Sequence, residues 1–141
     1  MKKGLVVALI FLAFSCHKKN KQVNNNPVPS VPLHIRVYPN DPLNFKIQAI
    51  GGWMYFPGGL RGLVIYRKSN EEFVVIERTS SQLPDNDKAI AQVSTDNFTL
   101  RDTISNSSWR IVDGGVIKGP AEWPLRLYGN TYDGSTLWID N

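Results

Sequence analysis

Beyond residue 33, no window of helical length keeps apolar residues at i, i+3, i+4 and i+7 between usable caps. Apolar residues come instead in short runs, alternating or continuous, broken by glycine and proline turns. Such a chain is confined to strands. Leu33, Ile35 and Val37 alternate with His34, Arg36 and Tyr38, and Phe45, Ile47 and Ala49 alternate with Lys46 and Gln48, so both stretches are predicted as half-buried strands. Gly51-Gly52 and Pro57-Gly58-Gly59 bracket a strand over residues 53–56. Residues 60–67 and 73–76 form a further pair, separated by the polar turn at residues 68–72. Later strands are expected at residues 90–93, 98–100, 109–112, 116–117, 125–128 and 136–139, with turns at Asp113-Gly114-Gly115 and Asp133-Gly134. About ten strands in some 109 residues imply small stacked sheets or a partly closed barrel, because one open sheet would leave long unpaired edges. An immunoglobulin-like sandwich is the alternative all-β architecture.

The first 32 residues differ in kind from this β-rich part. Met1-Lys2-Lys3 precedes an uncharged run over residues 4–14, shorter than the roughly 20 residues of a membrane-spanning helix, so residues 1–15 are predicted to be a signal peptide. Ala13 and Ser15 stand three and one residues before Cys16, the single cysteine of the chain. The sequence Leu12-Ala13-Phe14-Ser15-Cys16 resembles a bacterial lipobox, which implies cleavage before Cys16 and lipidation of its thiol. Several acyl chains at Cys16 anchor a protein stably, since each buried methylene contributes about 0.8 kcal/mol. Residues 16–32 hold three prolines and few bulky apolar side chains, and are read as a flexible tether reaching roughly 20 Å as a coil. His17 is not the acidic residue of an inner-membrane retention signal, so the expected location is the outer membrane of a bacterial envelope. The domains expected are therefore residues 1–15, 16–32 and a β domain at residues 33–141.

Charge follows the same division. Of sixteen Lys and Arg residues, five precede Leu33, which leaves eleven basic against twelve acidic groups in the β domain, a net of −1. The pI near 9.3 thus belongs to the leader and its flank, and no nucleic-acid partner is expected. With one cysteine and two histidines, His17 and His34, intrachain disulfides and thiolate-rich metal sites are excluded by counting.

The stretch Trp109-Arg-Ile-Val-Asp-Gly-Gly-Val-Ile-Lys-Gly-Pro-Ala-Glu-Trp-Pro-Leu125 resembles the end of a Rieske [2Fe-2S] ferredoxin domain. Residues 59–67 followed by residues 73–78 resemble the hairpin that precedes the first ligand loop of that family. The resemblance implies a Rieske-like fold over most of residues 33–141. It also marks the positions of the cluster ligands: Thr79 and Ser81 (or Ser80 and Gln82, one residue on) in the first loop, and Asp102 and Ser105 in the second. A Rieske centre requires two thiolates and two imidazoles. Hydroxyl and amide groups are poor substitutes, so no cofactor is expected, and these positions are former ligand sites rather than ligands.

Other chemistry is weaker. His34 with Asp102 and a serine of residues 105–108 lacks a nucleophile elbow, and a lone strand histidine is ordinarily a surface or packing residue. Asp85-Asn86-Asp87 lacks the glycine and glutamate of a calcium loop and reads as a Pro-Asp turn. Most aromatics of a small β domain belong to its core. Trp109 and Trp123, near the former cluster end, are the candidates for a ligand or partner contact. The expectation is a non-enzymatic structural or interaction module on a lipid anchor, with an envelope protein or glycan as partner. Two alternatives remain: a glycan-binding module using Trp53, Tyr55, Trp123 and Trp138, and a redox protein whose metal site is completed by a partner chain.

Overall fold

The computed structural model describes residues 25–141. The signal peptide, Cys16 and His17 lie outside the described residues. Eleven strands are found among those described: β1 (His34–Val37), β2 (Trp53–Phe56), β3 (Leu63–Arg67), β4 (Phe73–Glu77), β5 (Gln92–Val93), β6 (Thr99–Asp102), β7 (Ser107–Arg110), β8 (Val116–Lys118), β9 (Leu127–Tyr128), β10 (Asn130–Tyr132) and β11 (Leu137–Asp140). They form three antiparallel sheets in the orders β1-β11-β10, β2-β3-β4-β9 and β5-β6-β7-β8. The fold is all-β and made of small sheets, and no barrel closes among the described residues.

The β2-β3-β4-β9 sheet is the middle layer, and strand periodicity shows why. Leu63, Ile65, Phe73 and Val75 face one way and join Val37, Leu137 and Ile139 of the β1-β11-β10 sheet in one apolar cluster. Val64, Tyr66 and Ile76 face the other way and join Leu100, Trp109 and Ile111 of the β5-β6-β7-β8 region. With both faces covered, β3 is buried at every residue, and a near-continuous apolar run is the sequence form such a strand takes. The hairpin of β3 and β4 pairs Leu63 with Glu77 at one end and Arg67 with Phe73 at the other.

Three expectations need correction. Residues 45–49 are not a strand: Pro42–Ile47 is a 3₁₀ helix, opened by Asp41, whose side chain accepts from the Leu43 amide at 2.8 Å. Proline in the first turn is pre-set for helix, and only Ile47 of the alternating trio is buried. The polar strand β10 has no apolar alternation to announce it, yet pairs with β11 from Asn130↔Ile139 to Tyr132↔Leu137. The tether also ends sooner than composition implies. Val28 is fully buried, its carbonyl accepts from Arg126 Nε at 2.5 Å, and Asn26 Nδ2 donates to the Pro124 carbonyl at 2.9 Å. Hydrogen bonds from the far end of the chain thus hold a segment with little apolar content of its own.

Among the described residues, no helix is long and apolar enough to cross a membrane.

Candidate functional site

The first marked loop leaves β4 at Arg78 and returns at β5. It is organised by a group that the sequence reading passed over, the carboxylate of Glu77, which is fully buried. Oε2 accepts from the Leu60 amide at 2.7 Å and the Tyr128 hydroxyl at 3.1 Å. Oε1 accepts from the Arg61 amide at 3.0 Å, the Thr79 amide at 3.1 Å and Thr79 Oγ1 at 2.8 Å. Five donors around one carboxylate replace the hydration it loses on burial. Glycine at position 59, in a left-handed conformation (φ 65°), makes this possible, because a Cβ there would fall 2.1 Å from Oε2. Burial, with the Glu77 charge beside it, pushes the Tyr128 phenol up to about 12. The signal in sequence was parity: Phe73, Val75 and Glu77 share the side of β4 that faces the β1-β11-β10 sheet.

Thr79 is therefore committed to Glu77, and its backbone bridges to Ile90. Ser81 is buried and donates to the Trp123 carbonyl at 2.6 Å. The same carbonyl accepts from the indole of Trp109 at 3.0 Å, and the Ser107 hydroxyl accepts from the Ala121 amide at 3.0 Å. Residues 119–124 thus close over this end of the molecule and join the first loop to β7. Ser80 is buried, and its Oγ is the one buried side-chain oxygen or nitrogen among the described residues without a partner. Gln82 is half-buried.

The second marked loop is a four-residue turn between Asp102 and Ser107. Buried Asp102 accepts from the Ile104 amide at 2.9 Å and the Ser105 amide at 3.3 Å, while Ser105 Oγ accepts from the Ser107 amide at 3.3 Å. Asn106 takes the left-handed conformation (φ 59°) that closes the turn. Asp102 and Ser105 are thereby brought together, but no hydrogen bond joins them to Thr79 or Ser81 among the described residues. The residues do not fit a Rieske cluster: three hydroxyls and one carboxylate stand at the four marked positions, and protein groups already engage each of them. No group of three or more His, Cys, Asp or Glu side chains that could hold a metal occurs among the described residues.

Trp109 is wholly buried, which corrects its assignment as a contact residue: on β7 it shares the inward face with Ser107 and packs beside Leu100 and Ile111. Trp123 remains 42% exposed and accessible. Tyr55 is 40% exposed, whereas Trp53 and Trp138 are half-buried, with the Arg36 guanidinium 4.3 Å above the Trp138 ring. His34 contacts Asp140 at 3.0 Å on the β1-β11 pair, so its one side-chain partner among the described residues is neither Asp102 nor a serine. Asp85-Asn86-Asp87 is a turn, with the Asn86 amide on the Leu83 carbonyl at 3.1 Å and Asp87 paired to Arg61 at 2.7 Å.

No protein-family model matches the chain, and no curated protein matches it. Among solved structures, it is similar to the ferredoxin of carbazole 1,9a-dioxygenase from Nocardioides aromaticivorans IC177, with a TM-score of 0.50 and 14% identity over 79% of this chain and 98% of that one. Sphingomonas yanoikuyae B1 ferredoxin gives a TM-score of 0.46 and 16% identity over 66% of this chain and 88% of that one. Both are Rieske-type ferredoxins. At such identities the likeness is one of fold, and the fold of this chain is Rieske-like.

Proposed function

We propose that this protein is a lipid-anchored component of the bacterial cell envelope whose Rieske-like domain, lacking a cluster, serves as a non-enzymatic structural or interaction module. The observation that carries the reading is the shared Trp123 carbonyl, which takes the Ser81 hydroxyl at 2.6 Å and the Trp109 indole at 3.0 Å. Ser81, Trp109 and Ser107 are spent on binding residues 119–124, and Thr79, Asp102 and Ser105 on bonds within their own loops, so the four marked positions carry engaged hydroxyls and one turn-closing carboxylate. The best-formed polar centre, Glu77, is fully buried with five donors from this chain on its carboxylate, which supports a structural role for it. Cys16 supports the anchor through the lipobox-like sequence it completes, and the exposure of Trp123 supports assigning it to partner contact.

The test uses the full chain in its bacterial host cell. Wild-type protein is expected in the detergent-extracted membrane fraction, and Cys16→Ser in the soluble fraction. Iron analysis and visible absorption of the extracted protein are expected to show a colourless, iron-free chain. Stoichiometric iron with a charge-transfer spectrum would overturn the reading of the loops and favour a partner-completed redox site. Membrane retention of Cys16→Ser would overturn the anchor.

A further inference from the structure

A second surface, away from the loop end, has the parts of a ligand site. Lys46, Gly51, Gly52, Trp53 and Asn97 line a cleft of about 370 Å³ between the 3₁₀ helix, the start of β2 and the β5–β6 turn. Trp53 is fixed in place. Its indole Nε1 donates to Asn97 Oδ1 at 2.9 Å, and its ring meets Tyr55 edge-on with centroids 5.2 Å apart. Tyr55 is held in turn, its hydroxyl accepting from the Val93 amide at 2.9 Å and its ring lying 4.0 Å beneath the Arg78 guanidinium. Asn97 adopts a left-handed backbone (φ 60°), and its amide nitrogen has no partner among the described residues. The neighbouring Asp96 carboxylate is turned into its own loop, where Thr99 and Phe98 hold it below the ordinary carboxylate range. Gly51 (φ 83°) stands at the cleft where a Cβ would meet nothing within 4 Å, so the space there is open.

These parts have a common chemistry. A preset indole offers a flat apolar face for the C–H face of a sugar ring, an amide nitrogen offers a hydroxyl partner, and an ammonium offers a carboxylate partner. We propose that the cleft between Trp53, Asn97 and Lys46 binds an acidic saccharide of the uronic-acid type. Trp53 stacks on the ring, Asn97 Nδ2 donates to a hydroxyl, and the Lys46 ammonium, on an exposed side chain, meets the carboxylate.

The experiment is a titration of the detergent-solubilised full chain with trigalacturonic acid, and with maltotriose as the neutral counterpart, followed through the tryptophan indole N–H resonances. Trp53→Phe assigns the relevant signal. The acid is expected to shift the Trp53 indole resonance while those of Trp109, Trp123 and Trp138 stay in place, and maltotriose is expected to bind more weakly. Lys46→Gln should weaken the acid by up to roughly fivefold and leave maltotriose unchanged, as for one exposed ion pair. Asn97→Gly keeps the left-handed turn while removing the amide, and should weaken both sugars. The proposal is overturned by an unmoved Trp53 signal at tens of millimolar sugar, by a shift confined to Trp123 or Trp138, by equal affinities that ignore Lys46→Gln, or by tighter binding of the planar aromatic acid benzoate. A shift confined to Trp123 would move the ligand contact to the loop end and leave the proposed function standing, and the other outcomes bear on neither Cys16 nor that end, so this site and the proposed function fail separately.

Discussion

The loop after β4 is held from inside the core, whereas the turn between β6 and β7 is held by its own first residue. In the former, Glu77 gathers donors from residues 60, 61, 79 and 128, which belong to the β2–β3 connection, the loop itself and β9. In the latter, Asp102 accepts from amides two and three residues ahead of it. The two carboxylates are equally buried but differ in reach. A carboxylate that joins distant segments shares the stability of the whole fold, while one that closes a local turn carries only that turn. Within one scaffold, a loop of fourteen residues and a turn of four are therefore stabilised on different energetic scales.

The largest effect should come from Glu77→Ala. It leaves the Thr79 and Tyr128 donors buried, and the Leu60 and Arg61 amides part-buried, without an acceptor, and a loss of about 4 kcal/mol is expected in urea unfolding. Glu77→Gln keeps the shape but turns an amide NH₂ toward donors, and should lose about half as much. A Glu77→Ala loss below about 1 kcal/mol would break the comparison, because the loop would then be no more dependent on the core than the turn is.

Tyr128 sharpens the same point through pH. Its phenol is raised from 10.0 to about 12 in the folded protein, so the neutral form is the one that the fold favours. The stability linked to it is fully present below pH 10 and is lost as pH rises toward 12. Wild type should therefore lose stability over that window more steeply than Tyr128→Phe, which itself should be about 1 kcal/mol less stable at neutral pH for want of one hydrogen bond. Parallel slopes for the two proteins would mean that Tyr128 does not report on the Glu77 centre.

Much of this scaffold was legible in sequence, and the failures have physical causes. Runs such as residues 63–67 announce a strand covered on both faces, and glycine pairs mark the turns. Asn97 and Asn106 occupy left-handed turn positions that asparagine tolerates better than most residues. The 3₁₀ helix was also written in Asp41-Pro42, but a chance alternation over residues 45–49 competed with the cap. The marked loop positions 79, 81, 102 and 105 could be placed by resemblance, whereas their partners could not, since each lies on another segment or in a turn geometry that no spacing reveals. The Glu77 centre lay half in view: parity places a charge on the same buried side of β4 as Phe73 and Val75, but its donors come from stretches up to 51 residues away. The Trp53 cleft has the same character, joining residue 53 to residue 97 through a single indole hydrogen bond.

The smallest of these effects should be at Asp102, despite its complete burial. Asp102→Ala frees the Ile104 and Ser105 amides, which lie in a turn whose residues 103, 104 and 106 are exposed, so water can take up part of the loss. A loss of about 1 kcal/mol follows, and Asp102→Asn, which keeps an acceptor oxygen for the turn, should lie closer to wild type. Amide hydrogen exchange separates the local effect from the global one. In Asp102→Ala, the Ile104 and Ser105 amides should exchange faster by more than the fall in global stability explains, with Ser80 and Ala91 following the global change alone. In Glu77→Ala, Ser80 and Ala91 should lose protection beyond that change. Should Asp102→Ala instead unprotect the loop after β4, the two loops would share one cooperative unit, and residues 119–124, bonded to Ser81 on one side and Ser107 on the other, would be the element that couples them.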